Sequence, residues 1–173
     1  VAVKDFGVFS PEPSDYPDIA VAAAVAVARG ECERGVLLCG NGVGMCMTAN
    51  KIPGIRAALC SDTYTARTAR EHNNTNILCM GARVLGSELA REIMEVWLET
   101  DFSEQERHVR RLGKVEQVER QCRLPLRQGA SLAELPAGQG GQAACGAPKR
   151  IPGRARAGCL RHDTTGGQAG RTL

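Results

Sequence analysis

No stretch approaches the roughly 18 apolar residues that a membrane span needs. The longest candidate, Ile19 to Ala28, is short, Ala-rich and preceded by Pro and Asp, which excludes a span and argues against a signal peptide. Aromatic residues are scarce, three Phe, two Tyr and one Trp in 173 residues, and none interleaves the basic residues near the C-terminus. Nucleic-acid binding is therefore not expected. Cys32, Cys39, Cys46, Cys60 and Cys79 lack the short paired spacing of a zinc site, and a chain of this size does not need disulfides. Reduced thiols in a cytoplasm are expected. An initiator Met is also lacking. Val1 to Phe6 begins in mid-pattern with the apolar alternation of a strand, as if a preceding segment were missing.

Charge is unevenly placed. From Gln121 onward there are eight basic residues and two acids, Glu134 and Asp163, leaving 14 basic and 17 acidic residues before it. The body is thus near −3 and the tail near +6. The last 53 residues carry ten of the 20 glycines and no Val, Met, Phe, Trp or Tyr, too little bulky apolar side chain to offset chain entropy. The expected organisation is one domain over residues 1–120 and a disordered Gly/Arg-rich tail over 121–173. Cys122, Cys145 and Cys159 sit singly in that tail and match chance composition better than a metal site.

Within the body, helical and strand signals alternate. Asp18 to Arg29 reads as an Ala/Val helix ending at Gly30, and Gly35 to Cys39 as a short apolar strand. Met45 to Asn50 reads as a helix, Pro53-Gly54 as a turn and Ile55 to Leu59 as a strand. Asp62 to His72 is helical and Asn76 to Met80 a strand. Ser87 to Thr100 is an amphipathic helix with Leu89, Ile93, Val96 and Trp97 on one face, and Arg107 to Arg120 is a last polar helix. Strands of about five apolar residues between helices predict a three-layer, Rossmann-like α/β fold, a parallel sheet with helices on both faces. Ligands bind such sheets beyond the carboxyl ends of the strands.

The loop after Cys39 occupies that place. In Cys39-Gly40-Asn41-Gly42-Val43-Gly44 the glycines let the backbone turn sharply and bring several N–H groups to one spot suited to an anion. Cys39 beside it, its thiolate favoured by the same dipoles, is a candidate base or nucleophile, or else a buried Cys before a plain turn. In Arg70-Glu71-His72-Asn73-Asn74-Thr75-Asn76, His72 is a candidate general acid or base, or the polar cluster simply caps a helix. Arg83, Arg107, His108 and Arg111 form a third group. Arg107 and Arg111 have the i,i+4 spacing that lets both guanidinium groups meet one ligand, or they are a solvated face.

Asp15-Tyr16-Pro17, CGNGVGM, Thr48-Ala49-Asn50-Lys51, GIRAALC, REHNNTN and GARVLG occur in the order and spacing of ribose-5-phosphate isomerase B. The chain resembles that family from Val1 to about Glu119, and the galactose 6-phosphate isomerases share much of the pattern. The resemblance implies interconversion of ribose 5-phosphate and ribulose 5-phosphate through a cis-enediolate, without metal or other cofactor, in a homodimer or tetramer. It implies Cys39 as the base between C1 and C2 and His72 in ring opening. Asn73 contacts the sugar, while Arg83, Arg107 and Arg111 hold the phosphate. The N–H groups of Gly40, Asn41, Gly42, Val43 and Gly44 bind the enediolate oxygens, and His72 and Asn73 serve the neighbouring copy's site. Asn41 replaces the Thr or Ser common in the family, an amide for a hydroxyl. The family's first strand and helix, with their Asp-His pair, have no counterpart, so Val1 to Phe6 is expected to lack its sheet neighbour. Alternatives to the ribose isomerase are a galactose-6-phosphate isomerase-like subunit, a non-catalytic phosphosugar-binding fragment, and a basic-tailed interaction protein with salt-sensitive polyanion binding.

Overall fold

The computed structural model describes residues 2–10, 12–123 and 156–161. Pro17 stands in the first turn of α1 (Tyr16–Ala28), with Asp18 beside it. A missing N–H costs nothing there, and a carboxylate meets the positive end of the helix. Ala20, Ala23, Ala24 and Val27 recur at helical spacing and are buried, and their small side chains bring the helix close to the sheet. Beyond the helix the chain turns at Gly30, whose φ of +72° suits a residue without a Cβ.

β2 (Arg34–Cys39) and β4 (Ile77–Gly81) form the parallel centre of the sheet, with Gly35 opposite Ile77 and Cys39 opposite Gly81. β3 (Ala57–Leu59) adds parallel to β4. Each central strand is buried on both faces. Leu37, Cys39, Ile77 and Cys79 pack with α1 and α2 (Val43–Ala49), whereas Val36, Leu78 and Met80 pack with α3 (Thr63–Asn73) and α4 (Ser87–Glu99). The three-layer α/β architecture expected from the apolar runs is the observed one. α5 (Glu106–Arg123) follows, and Gly54 N–H donates to its Glu119 carboxylate at 2.6 Å.

Four expectations need correction. β1 (Ala2–Asp5) does have a sheet neighbour, because β5 (Arg156–Arg161) lies between β1 and β2, antiparallel to both, in the order β1-β5-β2-β4-β3. Two strand edges facing each other across a gap offer unpaired N–H and C=O groups, and a backbone ladder can satisfy them with little demand on side chains. The 121–173 stretch, expected without folded structure, therefore supplies the last turn of α5 and this strand; its other residues lie outside those described. In α4 the buried stripe runs through Ala90, Ile93, Met94 and Trp97, and Leu89, expected on the core face, is exposed. That stripe has the i, i+3, i+4, i+7 form of a helix packed on a sheet, with Leu89 just outside it. Cys39, Cys46, Cys60 and Cys79 are free thiols as expected, but Cys32 is in a disulfide. It is 2% exposed at the end of the α1–β2 turn.

Candidate active site

At the carboxyl end of β2 the chain can turn only as it does. Gly42 has φ of +77°, and a Cβ there would stand 2.5 Å from Leu59 Cδ1 and 2.9 Å from the Met80 carbonyl carbon. A Cβ on Gly44 would meet the Tyr16 ring at 2.6 Å, and one on Gly81 the Asn41 backbone at 2.9 Å. The glycines are thus required by close approach as well as by dihedral angle. The turn brings Gly42 N–H to 3.2 Å from Cys39 Sγ in a buried contact. Asn41 Oδ1 accepts from Val43 N–H at 3.1 Å, a local side-chain turn just ahead of α2, whose N-cap is Gly42. Arg83 lies over the same loop: its N–H donates to the Gly40 carbonyl at 3.0 Å, and its exposed side chain passes Gly40. Cys39, residues 40–44 and Arg83 therefore form one cluster.

The second cluster is built at the other end of the strands. Arg70, 6% exposed, donates to Thr75 O at 2.6 Å, Asn74 Oδ1 at 2.9 Å and Thr100 O at 3.2 Å. Burial brings its guanidinium down to about 10, still charged at neutral pH. Trp97 Nε1 donates to Thr75 Oγ1 at 2.9 Å, and Asn74 caps α3 in the left-handed region with φ of 44°. Asn76 bridges strands, accepting from Arg56 N–H and donating to Gly54 O. Most of the polar run thus does the structural work of capping and bridging. Half-buried His72 and exposed Asn73 are left toward solvent on a rigid support.

Against His72 lies His108, their ring centroids 4.3 Å apart. His108 is 2% exposed, and its Nδ1 is 2.7 Å from Ser103 Oγ. Glu71 lies 3.8 Å from His72 Nε2. Burial holds the His108 pKa below its ordinary 6.5, reinforced by His72, Arg107 and Arg111 and opposed by Glu71. Arg107 and Arg111 are exposed on α5, where they flank His108, the residue that packs on His72. Beside Asn73 a groove of about 810 Å³ runs between α5 (Leu112, Val115, Glu119) and the Gly54–Arg56 turn.

His108 is the residue that sequence reasoning noticed without giving a role. Its signal was its place between Arg107 and Arg111, but its burial against His72 is a through-space fact. On acidification the unfolded chain binds the His108 proton first. The stability owed to the neutral ring, complete above 6.5, is lost as pH falls through the lower folded value. Thermal denaturation between about pH 8 and about pH 5 should show a falling midpoint whose slope is shallower in His108→Gln. Equal slopes would mean that other groups carry the acid sensitivity.

The two clusters do not meet within one chain. Cys39 pairs with Gly81 at the carboxyl end of the sheet, whereas His72 and Asn73 precede Ile77 at its amino end. Four strand steps, about 13 Å, lie between these ends. Among the described residues no group of three or more His, Cys, Asp and Glu is placed to hold a metal ion, and no helix is long and apolar enough to cross a membrane.

The profile of the Ribose/Galactose Isomerase family matches residues 1–115. Ribose-5-phosphate isomerase B of Escherichia coli is 46% identical over 119 residues, covering 69% of this chain and 79% of that protein. The D-erythrulose-4-phosphate isomerase of Pectobacterium atrosepticum is 54% identical over 87 residues, 50% of this chain and 57% of that one. The solved structure of Clostridium thermocellum ribose-5-phosphate isomerase B superposes with a TM-score of 0.66 at 47% identity, covering 68% of this chain and 78% of that chain. By sequence and fold together, the chain belongs to the ribose/galactose isomerase family, a family of sugar-phosphate isomerases.

Proposed function

We propose that the chain interconverts ribose 5-phosphate and ribulose 5-phosphate, with Cys39 carrying the proton between C1 and C2. The observation that carries this reading is the buried Cys39 sulfur, met by Gly42 N–H at 3.2 Å inside a turn that only glycine can make. When the sugar gives up its C2 proton, negative charge develops on the enediolate oxygens. The Gly42 N–H meets the Cys39 sulfur and the Val43 N–H meets Asn41 Oδ1, so it is the loop's remaining backbone N–H groups that stabilise that charge. One sulfur can return the proton to the neighbouring carbon, because C1 and C2 share one face of a planar cis-enediolate.

Ring opening and phosphate binding belong to the second cluster. His72 moves a proton to or from the ring oxygen, Asn73 holds a sugar hydroxyl, and Arg107 and Arg111 hold the phosphate, with Arg83 adding charge from the loop side. The separation of the clusters supports a site composed from two copies. One copy provides Cys39, the loop and Arg83, and the other His72, Asn73, Arg107 and Arg111. The residues that perform this chemistry lie within 1–120.

The relatives' names divide among ribose 5-phosphate, D-erythrulose 4-phosphate and galactose 6-phosphate, so the test is a substrate panel in deuterated water. The expected result is turnover of ribose 5-phosphate above the other sugars, with solvent deuterium appearing at C2 of the aldose. A preference for the four- or six-carbon sugar would move the assignment within the family. Tight binding with no deuterium incorporation would reject it in favour of a phosphosugar-binding protein.

A further inference from the structure

Three successive residues at the end of α3 are fastened to the segment that leads into α5. Arg70 Nε donates to Thr100 O at 3.2 Å, Ser103 N–H donates to Glu71 O at 3.0 Å, and the His72 ring meets the His108 ring at a centroid distance of 4.3 Å and an interplanar angle of 40°. Between Ser103 and α5 the chain turns at Glu104, whose φ of 52° lies in the left-handed region that a residue with a Cβ seldom takes. Across that turn Ser103 Oγ and His108 Nδ1 stand 2.7 Å apart. The geometry points to Ser103 and His108 as positioning residues for ring opening: Ser103 holds the His108 ring, and His108 in turn holds the His72 ring at the angle its proton transfer needs.

The burial pattern favours this role over plain packing. Among the described residues of α5 His108 alone is buried, on a helix whose neighbouring Arg107, Val109, Arg110 and Arg111 are exposed. An apolar side chain would fill that place without a partner, whereas an imidazole there needs a hydrogen bond, and half-buried Ser103 supplies it. His72 itself is only half-buried, so its ring needs a surface to rest on if it is to keep one orientation. The Glu71 carboxylate, 3.8 Å from His72 Nε2, is itself partly exposed and too far for a hydrogen bond. The buried His108 ring, tied to Ser103, is the firmer support.

The inference rests on the reading of His72 as the ring-opening group. In that step the C1 hydroxyl of the furanose gives its proton to water as the carbonyl forms, the bond from C1 to the ring oxygen breaks, and the ring oxygen takes a proton from His72, which regains one from solvent. A donor displaced by about an ångström loses much of its advantage. Ribulose 5-phosphate needs no such step, because its terminal oxygen carries the phosphate and its other hydroxyls lie too close to the carbonyl to close a five-membered ring. Its C1 proton exchanges with solvent through Cys39 and the enediolate alone. Comparing the two sugars therefore separates damage to His72 from damage to the whole site.

Turnover of ribose 5-phosphate, and deuterium exchange at C1 of ribulose 5-phosphate followed by NMR in deuterated water, are compared in the full chain and in Ser103→Ala, Ser103→Thr, His108→Gln and His72→Ala. Ser103→Ala and His108→Gln are expected to lower kcat for ribose 5-phosphate by about 10–10²-fold, with KM and the C1 exchange near those of the unsubstituted chain. Ser103→Thr keeps the hydroxyl and should turn over close to the unsubstituted rate. His72→Ala should show the same split with a loss at least as large. If turnover and exchange fall together in both Ser103→Ala and His108→Gln, the pair only holds the fold and the proposal is overturned. Undiminished turnover in both, beside a slow His72→Ala, overturns the positioning role and leaves the reading of His72 intact. A His72→Ala chain with undiminished turnover removes the ring-opening reading and this inference with it, and an unsubstituted chain without C1 exchange removes the isomerase reading and this inference together.

Discussion

With Cys39 replaced by alanine, isomerisation of ribose 5-phosphate should fall by about 10²–10⁴-fold, the contribution of a positioned proton-transfer group. The loss belongs in kcat, because the loop N–H groups and the arginines proposed to bind substrate are untouched. Alanine also leaves the buried Gly42 N–H without its sulfur acceptor, so a slight loss of thermal stability accompanies it. Cys39→Ser separates the two effects. A hydroxyl oxygen can still accept from Gly42 N–H, restoring stability, but its proton is too tightly held for it to act as the base, so turnover stays low. The readouts are steady-state kinetics, deuterium incorporation at C2 and circular dichroism. If the alanine variant matches the parent within assay scatter, Cys39 is a packing residue and the proposed proton path is wrong.

The second large effect comes from mixing two inactive proteins. Cys39→Ala chains and His72→Ala chains are each expected to be nearly inactive, the first lacking the base and the second the ring-opening group. Co-refolded in equal amounts, they should recover up to about a quarter of the parent activity. Random pairing makes half of the dimers mixed, and each mixed dimer has one site with both intact residues and one with neither. This expectation follows from strand geometry, which holds Cys39 and His72 at opposite ends of the sheet in one chain. Arg107→Ala in place of His72→Ala should complement in the same way, since Arg107 adjoins His108, which packs on His72. If mixtures never exceed the sum of their parts while mixed dimers are present, the site is assembled within one chain.

The polar run Arg70 to Asn76 explains why some residues could be read in advance and others not. Its composition identified a helix end before a strand, and the structure has α3 ending at Asn73 and β4 starting at Ile77. Composition did not separate the residues that cap from those left toward solvent. Arg70, Asn74 and Asn76 take structural hydrogen bonds because Thr75, Thr100, Arg56 and Gly54 come within reach, and those partners are distant in sequence or on other elements. The anion loop was legible for the opposite reason. A strand end, three glycines in five residues and a helix start are local signals, and the close contacts at Gly42 and Gly44 agree with them.

Helix and strand periods, turn chemistry and the run of buried strands determined by themselves the α/β class, the element order and the position of the Cys39 loop. Each of these depends on interactions between residues near in sequence. Only the tertiary structure decided that β5 fills the space between β1 and β2, that His108 packs on His72, and that the candidate site residues divide between two ends of the sheet. Those arrangements depend on which surfaces pack together after the elements form, and a strand of five residues is long enough to part groups that lie close together in the sequence pattern.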